Sequence, residues 1–286
     1  MSDRDRQPRI ADLIPSHVIT RCLKFLVGGV IVYFALQLFG LQHLFHDDAE
    51  GIGALLQIIG TLYSVLYAFA TYVIWGQFTA VENEILKESG ALKDLMLFGN
   101  RLRANTREPM VRAVKSYARA VVDGEWRALS NAEGTERTDR LFTEVIAAVV
   151  DAKPEDDVEG MVYERLLDIA NQASTHRDER LALSVKRMPR TLLVFVTLTA
   201  CTILFLLFLF PFRSAALGGV AIAITTLLLY FAHFVVTDLD NPFEGTWNVR
   251  AQPFEELLSK FRQPADPAGS RNLVTRCAGT IHHVEA

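Results

Sequence analysis

Residues 191–210 read TLLVFVTLTACTILFLLFLF, twenty positions without a charge. About 20 apolar residues carry a helix across the hydrocarbon core of a bilayer. Leu, Ile, Phe and Val each favour insertion by about 0.3–0.6 kcal/mol near its centre. This stretch is therefore read as a membrane span. Working outward, AALGGVAIAITTLLLYFAHFVV, residues 215–236, is a second span that follows almost at once. Two more lie upstream: FLVGGVIVYFALQLFGLQHLF, residues 25–45, and ALLQIIGTLYSVLYAFATYVIW, residues 54–75. Four such segments exclude a soluble domain with one buried core helix. The whole composition agrees, with 50% hydrophobic and 22% charged residues. A net charge of −4 supplies no field for nucleic acid. Cys22, Cys201 and Cys277 stand far apart, which gives neither a disulfide framework nor a CxxC pair. The first span is too long for the apolar core of a signal peptide, lacks a small-residue cleavage site and follows Asp3, Asp5 and Asp12.

Topology follows from Lys and Arg. Residues 1–24 carry five, Arg4, Arg6, Arg9, Arg21 and Lys24. The loop HDDAEGIG between the first two spans has none, and the loop between the last two has only Arg213. Residues 79–190 carry 18 and the C-terminal tail five. The positive-inside rule then places both termini and the middle region in the cytoplasm of a cell whose inner membrane holds the spans. The expected order is a cytoplasmic segment (1–24), spans one and two (25–78), a cytoplasmic region (79–190), spans three and four (191–236) and a cytoplasmic tail (237–286). Trp75 and Trp247 fall near the expected inner interface, where amphipathic rings sit well.

The middle region reads as helical throughout, which makes the chain an all-α membrane protein with a helical insert between two pairs of spans. Phe78, Val81, Ile85, Leu92, Leu95 and Leu102 recur at spacings of three and four, so the second span is expected to continue into the cytoplasm. Glu88 and Gly99 interrupt that stripe, and Ser89-Gly90 is a candidate kink. Pro109 suits the first turn of a next helix running to Leu129. A polar loop at 130–138, a helix around 141–150, the loop KPEDD at 153–157 and a helix over 158–187 follow, with Pro189 ending it or starting span three. Acids number 20 here against 18 bases, so the region is a solvated bundle without a strong field.

Two patterns stand out as candidate sites. On span two, Gln57, Thr61, Ser64, Ala68 and Thr71 step by four, three, four and three, which puts small and hydroxyl side chains on one helix face. Such a face either packs against another helix or lines a wetted pore. After span four, TDLDNPFEGTWNV (237–249) offers the oxygens of Asp238, Asp240, Asn241 and Glu244. Hard cations such as Ca²⁺ take ligands of this type, although the stretch is not an EF-hand loop. Equally, Asn241-Pro242 turns a chain, Phe243 can wedge into the bundle and Gly245 can relieve the bend. His233 lies a turn before the end of span four, while His43, His46, His282 and His283 read as exposed polar residues. Walker and Rossmann loops, HExxH and GxSxG are absent.

Four ordered motifs carry a resemblance: YAFATYVIWGQFTAVENEILKESGAL (67–92), SYARAVVDGEWRAL with Tyr117, Glu125 and Trp126, HRDERLALSVKRMP with Arg177, Arg180 and Arg187, and Asp238 to Gly245. Together they make the chain similar, over about residues 50–260, to the bestrophin-like family of four-span bacterial membrane proteins. Asn241 stands where that family more often has His. The resemblance implies a bestrophin-like fold and a homo-oligomeric, pentameric anion channel in membrane lipid, with chloride as candidate permeant ion and span two as pore lining. It also implies a Ca²⁺-binding acidic cluster after the last span. Here the acidic run beyond Asn241-Pro242-Phe243 is missing, and Asp238 and Asp240 precede the motif instead. The expected function is an ion channel. The alternatives are a non-conducting scaffold or sensor and a membrane enzyme built on Asp238, Asp240 and His233, which no nucleophile motif supports. The acidic outer loop, with Asp47, Asp48 and Glu50, keeps cation permeation open.

Overall fold

The computed structural model describes residues 16–40, 45, 47–130 and 136–261. Among these residues all regular structure is helical. In chain order the helices are α1 (Ser16–Leu38), α2 (Ala49–Gly99), α3 (Ala104–Ala120), α4 (Trp126–Ser130), α5 (Glu136–Val150), α6 (Asp157–Ser184), α7 (Arg190–Leu209), α8 (Ala215–Leu239) and α9 (Gln252–Lys260). A π-turn over Val121–Glu125 joins α3 to α4. His43, His46, His282, His283, Cys277 and the arginines at positions 4, 6 and 9 lie outside the described residues.

The four apolar segments fall on α1, α2, α7 and α8, each long and apolar enough to cross a membrane. The last two match their expected bounds closely. α1 is shifted: it runs from Ser16 to Leu38 and not from Phe25 to Phe45. Gly40, at φ 68, takes the left-handed conformation that ends the helix early. Nothing ahead of Phe25 breaks it, since Arg21 and Lys24 carry apolar stems that can lie along a span while their charges reach water. α2 is a single helix of 51 residues, about 75 Å at 1.5 Å per residue. It continues well beyond the apolar stretch 54–75, as expected, and does not break at Ser89-Gly90. One glycine costs a helix about 1 kcal/mol, and burial of Ala91, Leu92, Leu95 and Met96 just beyond it outweighs that cost.

The chain divides into two compact units, one ending at Asn83 and resuming over Leu181–Val249, the other holding Glu84–Arg180 and the chain from Arg250. In the first unit α1 packs along α8. Phe25 stacks on Tyr230 with ring centroids 4.6 Å apart. Glycines allow the approach: a Cβ on Gly29 would sit 3.0 Å from Thr226 Oγ1, and one on Gly218 would collide with Tyr33 Oη. Without a hydrophobic force between helices in lipid, such close backbone contact is what holds spans together. Ala70 and Ile74 of α2 form a buried cluster with Val196 of α7, Val236 and Leu239 of α8, and Met188.

In the second unit α3 packs on α5, and Tyr117 meets Phe142 edge-on at 5.1 Å. Four features here depart from or add to the expected pattern. The helix over 109–129 starts at Ala104, so Pro109 lies inside it and costs one hydrogen bond, while Arg103 in extended conformation (ψ 157) marks the start. The same helix is interrupted by the π-turn, a one-residue insertion that periodicity does not reveal. The tail contains α9, whose Phe254 and Leu257 are buried against α3 and the π-turn. Nine residues are too few for a periodic signal, and α9 is held by those two side chains. The helix expected over 158–187 stops at Ser184, and Pro189 caps the start of α7.

Candidate pore face, span-four turn and buried ion-pair core

Within the protomer one side of α2 buries Ile52, Ala70 and Ile74. The expected polar stripe points elsewhere: Gln57, Thr61, Ser64 and Ala68 are exposed and Thr71 is half-buried. Thr61 Oγ1 donates to the Gln57 carbonyl at 2.8 Å, Ser64 Oγ to Gly60 at 2.8 Å and Thr71 Oγ1 to Tyr67 at 2.9 Å. These bonds satisfy each hydroxyl proton while leaving lone pairs outward. Beside it runs an apolar stripe, Ile58, Leu62, Val65, Phe69 and Tyr72, all exposed as well. Residues 54–75 carry no ionisable Lys, Arg, Asp or Glu, so this surface has dipoles but no fixed charge. His233, half-buried on α8, has its carbonyl taken by Thr237 Oγ1 at 2.9 Å.

After α8 the chain turns sharply. Asp238 accepts backbone N–H bonds from Thr246 (3.1 and 3.0 Å) and Trp247 (3.0 Å), closing an eight-residue loop on its own carboxylate. Asp240 Oδ1 accepts from the Met188 N–H at 2.6 Å, and Asn241 Oδ1 accepts from Arg187 Nη2 at 3.1 Å, which ties the end of α8 to the start of α7. Asn241 Nδ2 donates to Glu244 Oε2 at 3.2 Å. Phe243 is buried, as the motif implied. A calcium site needs six to eight oxygens converging on one point. Here Asp238, Asp240, Asn241 and Glu244 are turned toward N–H donors, and no three acids of the loop bring oxygens within 4.8 Å of one another. As placed, the four side chains do not converge on one point, and their contacts fasten a turn.

Gly245 takes φ +94, and a Cβ there would lie 2.5 Å from Asp238 Oδ1. Gly245→Ala is expected to cost about 1–3 kcal/mol through this strained conformation and the clash. Thermal unfolding in detergent reads it. The double variant with Asp238→Ala should lose less than the two single losses together, because the clash and the clasp share one carboxylate.

The second unit holds a buried polar core that the sequence pattern did not single out. Glu88, half of an apparent break in the apolar stripe of α2, is fully buried. Its Oε2 accepts from Arg180 Nε at 2.6 Å and its Oε1 from the Tyr117 hydroxyl at 2.5 Å. Arg180, also fully buried, places Nη2 3.1 Å from Glu125 Oε1. That approach is an ion pair off the line of the N–H, so both Glu125 oxygens lack a protein hydrogen-bond donor. The Arg180 guanidinium also sits over the rings of Phe254 (5.9 Å) and Trp126 (6.0 Å). Burial and the Glu88 charge push the Tyr117 phenol well above its ordinary range, so it stays a proton donor. Burial opposes the Arg180 charge, but Glu88, Tyr117 and Glu125 more than offset it and raise its pKa. Arg177 crosses to Asp139 and over the Phe142 ring at 5.1 Å. Residues from three separate motifs of the sequence thus meet in one ion-pair core, and the signal that could have found it is Glu88 itself, a charge inside an apolar stripe.

The fold and these sites define an all-helical membrane protein with four apolar helices, one extended far beyond bilayer length, and a turn after the last that is fastened to the start of the third. A family model described as the bestrophin-like domain matches residues 22–254, and the chain belongs to that family. No curated protein matches. Among solved structures, a singly substituted bacterial bestrophin homolog from Klebsiella pneumoniae is similar at 13% identity and TM-score 0.65, covering 87% of this chain and 100% of that one. The Klebsiella homolog phased with zinc matches at 12% identity and TM-score 0.63, covering 85% and 99%. A chain described only as a membrane protein matches at 12% identity and TM-score 0.64, covering 87% and 100%.

Proposed function

We propose that this chain is the subunit of a homo-oligomeric ion channel in the inner membrane, with α2 lining the conduction path. The observation that carries this reading is the stripe Gln57, Thr61, Ser64, Ala68 and Thr71. A polar face that glued helices together within one protomer would be packed inside it, yet four of its five residues are exposed there. Neighbouring copies of α2, meeting through the adjacent apolar stripe, would enclose it as a wetted path of oriented hydroxyls and backbone dipoles. Family membership supports the same reading, and the count of five copies comes from the resemblance alone. The permeant species is proposed to be an anion such as chloride, because the stripe offers no carboxylate to attract cations.

In this reading α1 and α2 span the membrane as one pair and α7 and α8 as another, with residues 79–190 and both termini in the cytoplasm. The distribution of Lys and Arg supports that orientation. The Asp238–Gly245 loop acts as a latch between the two last spans at the inner surface, and no step of conduction passes through a cation bound there. A protomer of 32.0 kDa cannot enclose such a path alone. The protein mass in detergent, measured by light scattering with the detergent subtracted, is expected to be a multiple of that value. A strictly monomeric mass for folded protein would contradict the proposal.

A further inference from the structure

Apart from the pore face and the ion-pair core, one cluster brings three metal-ligating side chains together. Glu84 comes from α2, and His176 and Glu179 come from α6, all within the second unit. One ligand atom from each lies within 4.8 Å of the other two. Among the described residues no other three His, Cys, Asp or Glu side chains are so placed. His176 and Glu179 are three apart and share one helix face. His176 Nδ1 stands 2.8 Å from Glu84 Oε2.

The local charge also favours a cation. Glu84 is buried, at 7% exposure, and Glu179 reaches its carboxyl. Two carboxylates side by side need a shared proton or a cation between them. Lys87 meets only the Glu84 Oε1 edge, at 2.6 Å, from a side chain that is half in solvent. Glu84 thus faces an imidazole, 2.8 Å away, and a second acidic side chain.

We propose that Glu84, His176 and Glu179 bind a divalent transition-metal ion, with zinc the best fit. One imidazole nitrogen and two carboxylate oxygens are the ligands zinc takes at about 2.0–2.2 Å, with water in a fourth tetrahedral position. Mg²⁺ and Ca²⁺ want six or more oxygens and find too few here. Bound zinc would draw the three groups inward from their present spacing, a movement within reach of side-chain rotation because His176 is only half-buried and Glu179 is exposed. The ion would displace the direct His176–Glu84 contact and bridge α2 to α6. The site does not depend on the channel reading.

The test uses the full-length protein in detergent, stripped with chelator and titrated with ZnCl₂ by calorimetry, with MgCl₂ and CaCl₂ as comparison ions. One zinc per chain is expected, with a rise in unfolding temperature that neither comparison ion produces. His176→Gln and Glu179→Gln, both at accessible positions, should each weaken binding at least about tenfold. Replacing His282 and His283 by Gln should leave this binding intact. Cobalt(II), as a coloured substitute, should show the strong visible bands of a four-coordinate site in the wild type and lose them in His176→Gln. The proposal is overturned if the wild type takes up no zinc with defined stoichiometry, which would make the cluster an ion pair only. It is equally overturned if both variants bind zinc as tightly as the wild type.

Discussion

Arg180→Met is expected to destabilise the second unit by about 3–5 kcal/mol, the cost of stripping the partner from a buried ion pair. The side chains of Arg180, Glu88 and Glu125 are fully buried. Removing the cation leaves two carboxylates in an interior that cannot solvate them. Whole domains are stable by only about 5–15 kcal/mol, so the variant should be recovered in low yield and unfold at markedly lower temperature. Arg180→Lys should rescue little. A lysine ammonium is a point charge and cannot copy the fork that reaches Glu88 through Nε and Nη2 while lying over Trp126 and Phe254. The sharper expectation concerns the pair: adding Glu88→Gln to Arg180→Met should recover part of the loss, because one buried charge has gone. Circular dichroism against temperature reads all three. An Arg180→Met protein as stable as the wild type would show that the core is not held by charge.

Ser64→Cys is expected to make the channel sensitive to block by charged, membrane-impermeant thiosulfonates, with current falling about tenfold or more. Cys for Ser nearly conserves size, so the unmodified variant should conduct normally. Ser64 lies in the middle of the exposed polar stripe and is wetted in the proposed assembly. A wetted thiol forms the thiolate that reacts, whereas a thiol in lipid does not. The adduct then places a full charge in a narrow, low-dielectric path that has none, where electrostatic energies are largest. A cationic and an anionic reagent should differ in the residual current, and that difference reports the permeant sign. The background needs Cys22, Cys201 and Cys277 replaced by Ser, since Cys201 is exposed and Cys22 partly so. Leu198→Cys, on the exposed face of α7, is the lipid-facing comparison and should not respond. No modification at position 64 in folded oligomers would place α2 away from the path.

Much of this was open to reading because lipid imposes length. A run such as residues 191–210 is long and apolar enough to cross a bilayer, and its helix differs from the expected bounds by one residue at each end. The start of α1 was less legible. Arg21 and Lys24 look like the edge of a span on a hydropathy count, yet their stems allow the helix to begin at Ser16. The turn at Gly245 was legible because Asn-Pro and Gly each restrict or permit particular backbone angles locally. The partners of Asp238 and Asp240 were not, since acids after a span look alike whether they hold a cation or cap backbone N–H groups. Only the positions of Thr246, Trp247 and Met188 decide it. The ion-pair core was hidden for a different reason. Glu88 and Arg180 are 92 residues apart, and nothing local marks a charge as buried until tertiary packing brings its partner. The π-turn added to this, because it re-aims Glu125 by one residue and defeats a 3.6-residue count.

The central claim is conduction, and it is tested most directly by recording across planar bilayers containing the purified oligomer, first in symmetric and then in asymmetric KCl. Discrete unitary currents are expected, with a reversal potential near that of chloride and no requirement for Ca²⁺. A reversal potential near that of potassium would contradict anion selection while leaving the channel in place. Silence across a range of voltages from folded, oligomeric protein, with and without Ca²⁺, would contradict the channel itself and leave the polar face of α2 as a packing surface between copies.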